Sequence, residues 1–307
     1  MRITLNTQTN TTLLNLNDQQ EQINSLSQQI SSGVRLSSAS DDPYSWARAM
    51  NVKQGLREYN SFVNNINFAT GWDQATESAL NQLSDLVSQA KQVAISAASG
   101  NSTSESAALS TEVNGILNQA VNMANSQYGD QYIFGGTSTT TSPYSIDASG
   151  NVTYNGDQNY IQVKTSTSSV SDGGSTVVNL TGDEVFSYSS GANSLNVLHE
   201  IWDLGNAIKT GDSAKIGDKL TTLNDAFTHI NNELTTIGCK LSDLSTKQSA
   251  ITAFTTTETG TLSNLQDTDV AAATTKLTQV QTAFEAALKV TASLSGLNLA
   301  SYLSSTG

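Results

Sequence analysis

The chain has 307 residues, of which 37% are hydrophobic and 13% charged, and its formal net charge at pH 7 is −13. An acidic chain without a lysine- or arginine-rich cluster repels phosphate groups and anionic lipid heads, so we expect no nucleic acid and no membrane surface among its partners. The sequence contains two prolines, and a chain so poor in helix breakers favours long uninterrupted helices.

The sequence shows no membrane-spanning or secretory segment. No stretch approaches the roughly 20 consecutive apolar residues that a bilayer-spanning helix needs. The first residues, MRITLNT, lack the apolar segment and the small-residue cleavage site of a secretory signal peptide. We therefore expect a protein that either stays inside the cell or leaves it by another export route.

The N-terminal segment has the apolar spacing of a coiled-coil seam. Its seam positions are separated alternately by four and three residues, with Thr and Gln at some of them. A mixed seam of this kind holds a helix against a partner but stabilises a lone helix poorly. The pattern therefore predicts a helix whose ordered structure depends on packing against a partner. The apolar seam residues are Leu5, Leu16, Ile23, Leu26 and Ile30.

A polar connector follows this first helix. Gly33 is expected to end the helix, because glycine readily adopts the left-handed conformation of a C-terminal cap. Pro43 needs no N–H donor in the first turn of a new helix, and Asp42 before it can accept hydrogen bonds from that turn. We interpret Asp41 and Asp42 as capping residues, since adjacent side chains before a proline point apart and suit paired-carboxylate catalysis poorly.

The middle of the chain changes from helical to β-type patterns. Helical spacing continues to about residue 97, and Ser102 and Glu105 have the spacing of a capping box that opens another helix. Beyond residue 137 the composition shifts to Ser, Thr, Gly and Asn. Asn155–Gly156 predicts a tight turn between the first two β-type runs. These runs are residues 152–154, 160–163 and 177–180.

The C-terminal part returns to helical spacing. An apolar seam from Leu220 to Leu265 predicts a helix of roughly 70 Å if it is continuous. Because both ends of the chain carry amphipathic seams, pairing the two terminal helices is the simplest way to bury them. The second terminal seam consists of Leu277, Val280, Phe284, Ala287 and Leu294.

These patterns predict a mainly α fold with an inserted small β domain. We expect an elongated arrangement of long antiparallel helices in a coiled-coil-like bundle, with the terminal helices paired. The predicted parts are an N-terminal assembly helix and connector (1–42), the N-terminal arm of a helical rod (43–137), a β-rich insert (138–192), the C-terminal arm of the rod (193–268) and a C-terminal assembly helix (269–307).

Residues that carry chemistry are few. The common signatures of zinc hydrolysis, phosphate binding and acyl transfer do not occur in the sequence. His199 and His229 have no nearby partner at the spacing of metal ligands. The single cysteine, Cys239, excludes an intramolecular disulfide, and its apolar-periodic surroundings predict a small buried hydrophobe. We therefore predict no catalytic, cofactor or metal site.

Several segments carry a resemblance to a known family. In these segments the chain resembles the flagellin superfamily. The segments follow one another in the order found in that family, and the match extends over nearly the whole chain. Flagellins usually have alanine after the paired aspartates, whereas Pro43 is similar to the hook–filament junction branch of the superfamily. The segments are QISSGVRL (29–36), SDDP (40–43), ARA (47–49), YIFGGT (132–137), TYNGD (153–157), NLTGDEVF (179–186), LSNLQDTDVA (262–271) and LNLASYL (297–303).

The resemblance implies a non-catalytic component of the bacterial flagellum without a cofactor. Such proteins are exported unfolded through the flagellar type III apparatus while a chaperone (FlgN type) holds their terminal helices. They then polymerise with copies of themselves as a ring between the preceding junction protein (FlgK type) and flagellin, outside the cell. The alternative within the family is a filament-forming flagellin. A secreted hydrolase or adhesin on the same scaffold would need a catalytic or ligand-binding group of residues in 138–192, where none is visible.

Overall fold

The computed structural model describes residues 5–99, 103–147, 149–167, 174–191 and 193–305. In residues 5–9, at residue 103 and in residues 294–305 it describes the backbone alone. The predicted capping residue Ser102 lies outside the described residues.

Long helices account for most of the described chain, as the apolar spacing predicts. The 54 residues of α6 form one continuous helix, which contains the whole apolar seam from Leu220 to Leu265. α2 ends at Ala98, directly before the Ser99–Gly100–Asn101 segment. The helices are α1 (Leu5–Ser32), α2 (Pro43–Ala98), α3 (Thr103–Ala124), α4 (Gly182–Phe186), α5 (Val197–Thr210), α6 (Ser213–Gln266) and α7 (Val270–Ser305).

The contacts divide the chain into two compact units. Unit 1 consists of residues 1–57 and 255–307, so it contains both chain ends together with one end each of α2 and α6. Unit 2 consists of residues 58–254 and contains the rest of those two helices, α3, α5 and the β region. The fold is mainly α with an inserted small β region, as predicted. The five-part division of the chain stays a prediction.

The β region of unit 2 is built from short antiparallel hairpins rather than one sheet. Each strand pairs with its neighbour in sequence: β1 with β2, β3 with β4, β5 with β6, and β7 with β8. Because two-stranded ribbons are marginal alone, they depend on packing against the helices. The strands are β1 (Gln127–Tyr128), β2 (Gln131–Tyr132), β3 (Tyr144–Ile146), β4 (Val152–Tyr154), β5 (Gln162–Lys164), β6 (Ser175–Val177), β7 (Ser187–Ser190) and β8 (Asn193–Asn196).

The predicted tight turn at Asn155–Gly156 is wrong. β4 pairs with the preceding strand β3, and Gly156 does not adopt a positive φ. A Cβ on Gly156 would lie 2.5 Å from the Tyr154 ring, so glycine is needed here for close packing of that ring. The Asn155 N–H extends the β3–β4 pairing by donating to the Pro143 carbonyl at 2.8 Å.

Three of the segments that carry the family resemblance meet at one hydrogen-bonded centre. The Tyr154 hydroxyl lies 3.0 Å from the Phe134 carbonyl and 2.8 Å from the Asp157 carbonyl, and accepts from the Gly182 N–H at 3.3 Å. The Asp157 carboxylate accepts from the Thr137 hydroxyl and N–H, and these bonds lower its pKa to about 2. Tyr154 and Asp157, which are close together in the sequence, therefore connect segments of the β region to each other and to the start of α4.

The largest buried side chains belong to unit 2. Phe134 and Phe186 pack edge to face with ring centroids 5.4 Å apart, and Trp72 is fully buried on α2. Cys239, predicted to be buried, is instead exposed on α6. The reason is helical geometry: Ile237 faces the core with 0% exposure, and a residue two positions further lies about 200° around the helix.

Candidate assembly site in the paired terminal helices

The first helix ends as its sequence predicts. Gly33 has φ +71° and its N–H donates to the Gln29 carbonyl at 2.9 Å, which closes the last turn of α1. Val34 then forms an antiparallel β-bridge with Asp267, the residue that follows α6. The C-terminal end of α1 therefore lies beside the N-terminal end of α7, and the two terminal helices pack against each other in antiparallel orientation.

The connector places its two aspartates in different roles. Asp42 caps α2, because its Oδ1 accepts from the Ser45 N–H at 3.1 Å. Hydrogen bonds from Ser45 and the nearby charge of Arg35 lower the pKa of Asp42. Asp41 instead holds the connector turn, with its Oδ2 2.8 Å from the Ser38 N and 2.9 Å from the Ser37 N, and these bonds lower its pKa. The capping interpretation is therefore correct for Asp42 and wrong for Asp41.

The predicted seam residues with described side chains are buried or half-buried, and they belong to two helices that pack against each other. Leu16 and Val280 are buried, with 8% and 9% exposure, and the other predicted seam residues with described side chains are half-buried. Leu5 and Leu294 lie where the structure describes only the backbone. The half-buried predicted residues are Ile23, Leu26, Ile30, Leu277, Phe284 and Ala287.

The spacing of the two seams indicates which residues are expected at the same level of the pair. Both seams alternate steps of four and three residues, and they run outward from the bridge at Val34 with the same rise per residue. Matching the two seams outward from the bridge gives each seam residue of α1 an expected counterpart on α7. The facing pairs inferred in this way are Thr12 with Thr291, Leu16 with Ala287, Gln19 with Phe284, Ile23 with Val280, Leu26 with Leu277, and Ile30 with Ala273.

Ala273 was missed by the sequence prediction. It is buried, with 8% exposure, and stands seven residues before Val280. The heptad period alone could have found it, since the seam extends one repeat further towards the start of α7.

Exposed apolar side chains occur near the open end of the pair, away from the bridge. Leu13 and Leu14 on α1 are 51% and 64% exposed, and Leu288 and Val290 on α7 are 46% and 57% exposed. These residues lie at about the same level and outside the seam, so pairing of α1 with α7 does not cover them. Neighbouring exposed apolar side chains of this kind mark sites of protein–protein contact.

Several titratable side chains elsewhere have hydrogen-bond or ion-pair partners within the protein. The buried Glu200 carboxylate accepts from the Lys219 ammonium at 3.0 Å, and Lys219 also contacts Asp203 at 2.6 Å. His199 Nδ1 lies 3.1 Å from the Gly150 carbonyl oxygen, and His229 Nε2 lies 2.8 Å from the Glu184 carbonyl oxygen. These contacts join α5 and α6 to each other and to the β region.

The described residues contain neither a metal-binding group nor a membrane-spanning helix. Among them, no group of three or more His, Cys, Asp and Glu side chains is placed to hold a metal ion. In the same part of the chain, no helix combines the length and apolar character needed to cross a membrane.

The paired terminal helices, the other long helices and the small β region define a mainly helical protein whose N-terminal and C-terminal helices pack against each other. Comparison with known proteins specifies the family. The model of the bacterial flagellin N-terminal helical region matches residues 3–139, and that of the bacterial flagellin C-terminal helical region matches residues 220–303. The chain belongs to the flagellin family.

Individual relatives are more specific. Flagellar hook-associated protein 3 of Salmonella typhimurium is 30% identical over 163 residues, which cover 52% of this chain and 49% of that protein. The Escherichia coli protein of the same name is 32% identical over 120 residues, 38% of each chain. The chain thus spans about half the length of these relatives or less. In fold it is similar to flagellar hook-associated protein-3 from Legionella pneumophila, with a TM-score of 0.63, 17% identity, and coverage of 70% of this chain and 98% of that chain.

Proposed function

We propose that this protein is a structural, non-catalytic adaptor at the junction between the flagellar hook and the flagellin filament, outside the cell. Similarity to hook-associated protein 3 of two bacteria supports this assignment over a filament-forming flagellin. Pro43 supports it further, since it follows the aspartates where flagellins usually have alanine. The adaptor is a ring of copies that contacts the preceding junction protein (FlgK type) on one side and flagellin on the other.

The observation that carries an assembly role is the pair of terminal helices. The α1–α7 seam buries few large side chains, and Leu13, Leu14, Leu288 and Val290 stay exposed outside it. A helix pair with a thin seam and uncovered apolar residues gains stability when other subunits cover them. Before assembly, an export chaperone (FlgN type) is the partner that covers the same surface.

Immunogold labelling of isolated flagella tests the location. We expect a single band of label at the boundary between hook and filament. Label along the filament would identify a flagellin instead, and contradict the adaptor role. Deletion of the gene gives a second readout, because hooks should remain in place while flagellin monomers escape into the medium. Intact filaments in the deletion strain would also contradict the proposal.

A pair of neighbouring substitutions tests the seam. Leu16→Asp places a charge in the buried seam and should abolish incorporation into flagella, since an unpaired buried charge is strongly unfavourable. Asn17→Asp adds the same charge at the adjacent exposed position and should incorporate normally. Phe284→Asp and the exposed control Ala286→Asp repeat the comparison on α7. Equal incorporation of seam and control variants would show that the seam is not the assembly surface.

A further inference from the structure

The C-terminal end of α6 is capped by Arg35, a residue from the N-terminal part of the chain. The last four carbonyl groups of a helix have no partner within it, and an exposed helix end leaves them to water or to capping groups. In α6 the Ser263 carbonyl accepts from the Asp267 N–H at 2.8 Å. The Leu265 and Gln266 carbonyls receive their hydrogen bonds from Arg35, which lies in the connector after α1.

Arg35 makes this contact with its backbone and its side chain together. Its N–H donates to the Gln266 carbonyl at 2.7 Å, and its Nη2 donates to the Leu265 carbonyl at 2.8 Å. The guanidinium charge also lies at the negative end of the α6 dipole, where a cation is favourable. On the other side of the bridge, the Thr268 N–H donates to the Gly33 carbonyl at 2.9 Å. These bonds join the residues after α1 to the residues before α7.

The seam itself defines the alignment of α1 with α7 only weakly. Two of its six facing pairs contain polar side chains, and two more place a large side chain against alanine. Gln19 has a buried Oε1 without a hydrogen-bond partner in the described part of the chain, so this level gives no specific polar contact. A shift of α1 by seven residues, about 10 Å along the axis, again places seam against seam. Another feature must therefore select the alignment.

We propose that Arg35 is a positioning residue that sets the register of α1 against α7 by capping the C-terminal end of α6. The inference deepens the proposed function, because it concerns the same helix pair, but it is tested on the pair itself. With the cap in place, Val34 is held opposite Asp267 and each seam residue meets its counterpart. Without the Arg35 side chain, the polar connector of residues 35–42 allows α1 to slide by one heptad.

Disulfide trapping in the full-length chain measures the register directly. In a Cys239→Ser background, Ile23→Cys with Val280→Cys reports the native register, and Ile23→Cys with Ala273→Cys or Ala287→Cys reports a shift of one heptad. With arginine at position 35 we expect the native pair to cross-link in strong preference to the shifted pairs. Arg35→Ala should lower the ratio of native to shifted cross-links about ten- to a hundredfold, the effect of losing a hydrogen bond from a charged group. Arg35→Lys should give a ratio between those of the parent and Arg35→Ala, since lysine keeps the charge without the planar guanidinium.

Arg48 provides the matched control. It is an exposed arginine of the same unit, on α2, and Arg48→Ala should leave the cross-linking ratio unchanged. An Arg35→Ala chain with the same ratio as the parent would overturn the proposal, and so would a parent chain without preference for the native pair. The outcome is independent of the proposed function: loss of incorporation in Leu16→Asp with an unchanged ratio in Arg35→Ala would retain the assembly role and reject the register role.

Discussion

Unit 2 and unit 1 bury their apolar residues in different ways. In unit 2, Trp72, Phe134 and Phe186 are each at most 1% exposed, and α5 buries eight of its 14 residues. Among the described side chains of unit 1, five apolar ones are buried, and all five are aliphatic: Leu16, Leu36, Ala49, Ala273 and Val280. Unit 1 thus has a thin apolar seam, whereas unit 2 has a core with large aromatic side chains.

This difference separates folding from assembly within one chain. Burial of large apolar side chains is the main favourable contribution to folding, so unit 2 has the means to fold alone. A pair of helices with a narrow seam is marginal alone, because most helical stability in proteins comes from packing. We infer that unit 1 acquires its full stability from contacts with other subunits, and the following experiments test that contrast.

Hydrogen exchange of the free monomer should show the largest difference. We expect amides of α1 and α7 to exchange at least about a thousandfold faster than those of α5, because local opening of weakly packed helices needs little free energy. In the assembled flagellum the same amides should become protected. The measurement is exchange followed by mass spectrometry on both forms. Strong protection of both terminal helices in the monomer would contradict a partner-dependent pair.

Truncation of one large residue in each unit gives the next largest effect. Phe186→Ala removes a ring that packs against Phe134 and Tyr144, with centroids 5.4 Å and 4.8 Å away, and should lower the free energy of unfolding of unit 2 by about 3–5 kcal/mol. Leu16→Ala should leave the unfolding of unit 2 unchanged.

Urea unfolding followed by tryptophan fluorescence separates the two units. A Trp46→Phe background removes the tryptophan of unit 1, so that Trp72 and Trp202 report unit 2 alone. If Leu16→Ala lowered the unfolding midpoint of unit 2 as much as Phe186→Ala does, the two units would form one cooperative structure and the contrast drawn above would be wrong.

The sequence predicted the periodic features of both units and missed the non-periodic ones. Val280 is buried and Phe284 is half-buried. Both stand in the predicted seam because a buried helix face repeats every three to four residues and leaves that period in the sequence. The contact of Arg35 with the Leu265 carbonyl joins residues 230 positions apart and involves a main-chain acceptor, so no side-chain pattern announces it.

Two of the wrong predictions have the same origin in tertiary contacts. Asn155–Gly156 has the local preference for a tight turn, but the Tyr154 ring and hydroxyl take the adjacent space and fix another conformation. Cys239 stands in an apolar run, yet a long helix packed along one face buries only a narrow strip, and Cys239 lies outside it. Local sequence gives a preference in both cases, and packing at a distance decides the result.

Asp73 of unit 2 gives the smallest predicted effect, and it is linked to pH. This carboxyl group is fully buried on α2, and neither oxygen has a hydrogen-bond partner among the described residues. Burial raises the pKa of Asp73 to about 7, against the opposing attraction of Lys240 on α6. The folded state therefore keeps a proton that the unfolded chain, with an ordinary pKa of 3.8, has released.

The sign of the pH dependence follows from this difference in bound protons. As the pH rises from about 4 to about 7, unfolding increasingly releases the Asp73 proton, so the free energy of unfolding should fall through this window and level off above it. Asp73→Asn keeps the shape without the charge. Because one unit of pKa shift corresponds to about 1.4 kcal/mol, the difference between about 7 and 3.8 sets an upper limit of about 4 kcal/mol. Rearrangement around the charged carboxylate reduces this effect, and we expect the variant to be about 1–3 kcal/mol more stable than the parent at pH 8, with little difference at pH 4.

Urea unfolding of unit 2 at a series of pH values between 4 and 8.5 checks this prediction. Asp85→Asn, at an exposed position of the same helix, is the matched control and should follow the parent at every pH. If Asp73→Asn also followed the parent, the carboxylate would be compensated in the folded state, for instance by movement of Lys240 towards it. The stability of unit 2 would then be independent of this proton, and its aromatic core alone would account for the contrast with unit 1.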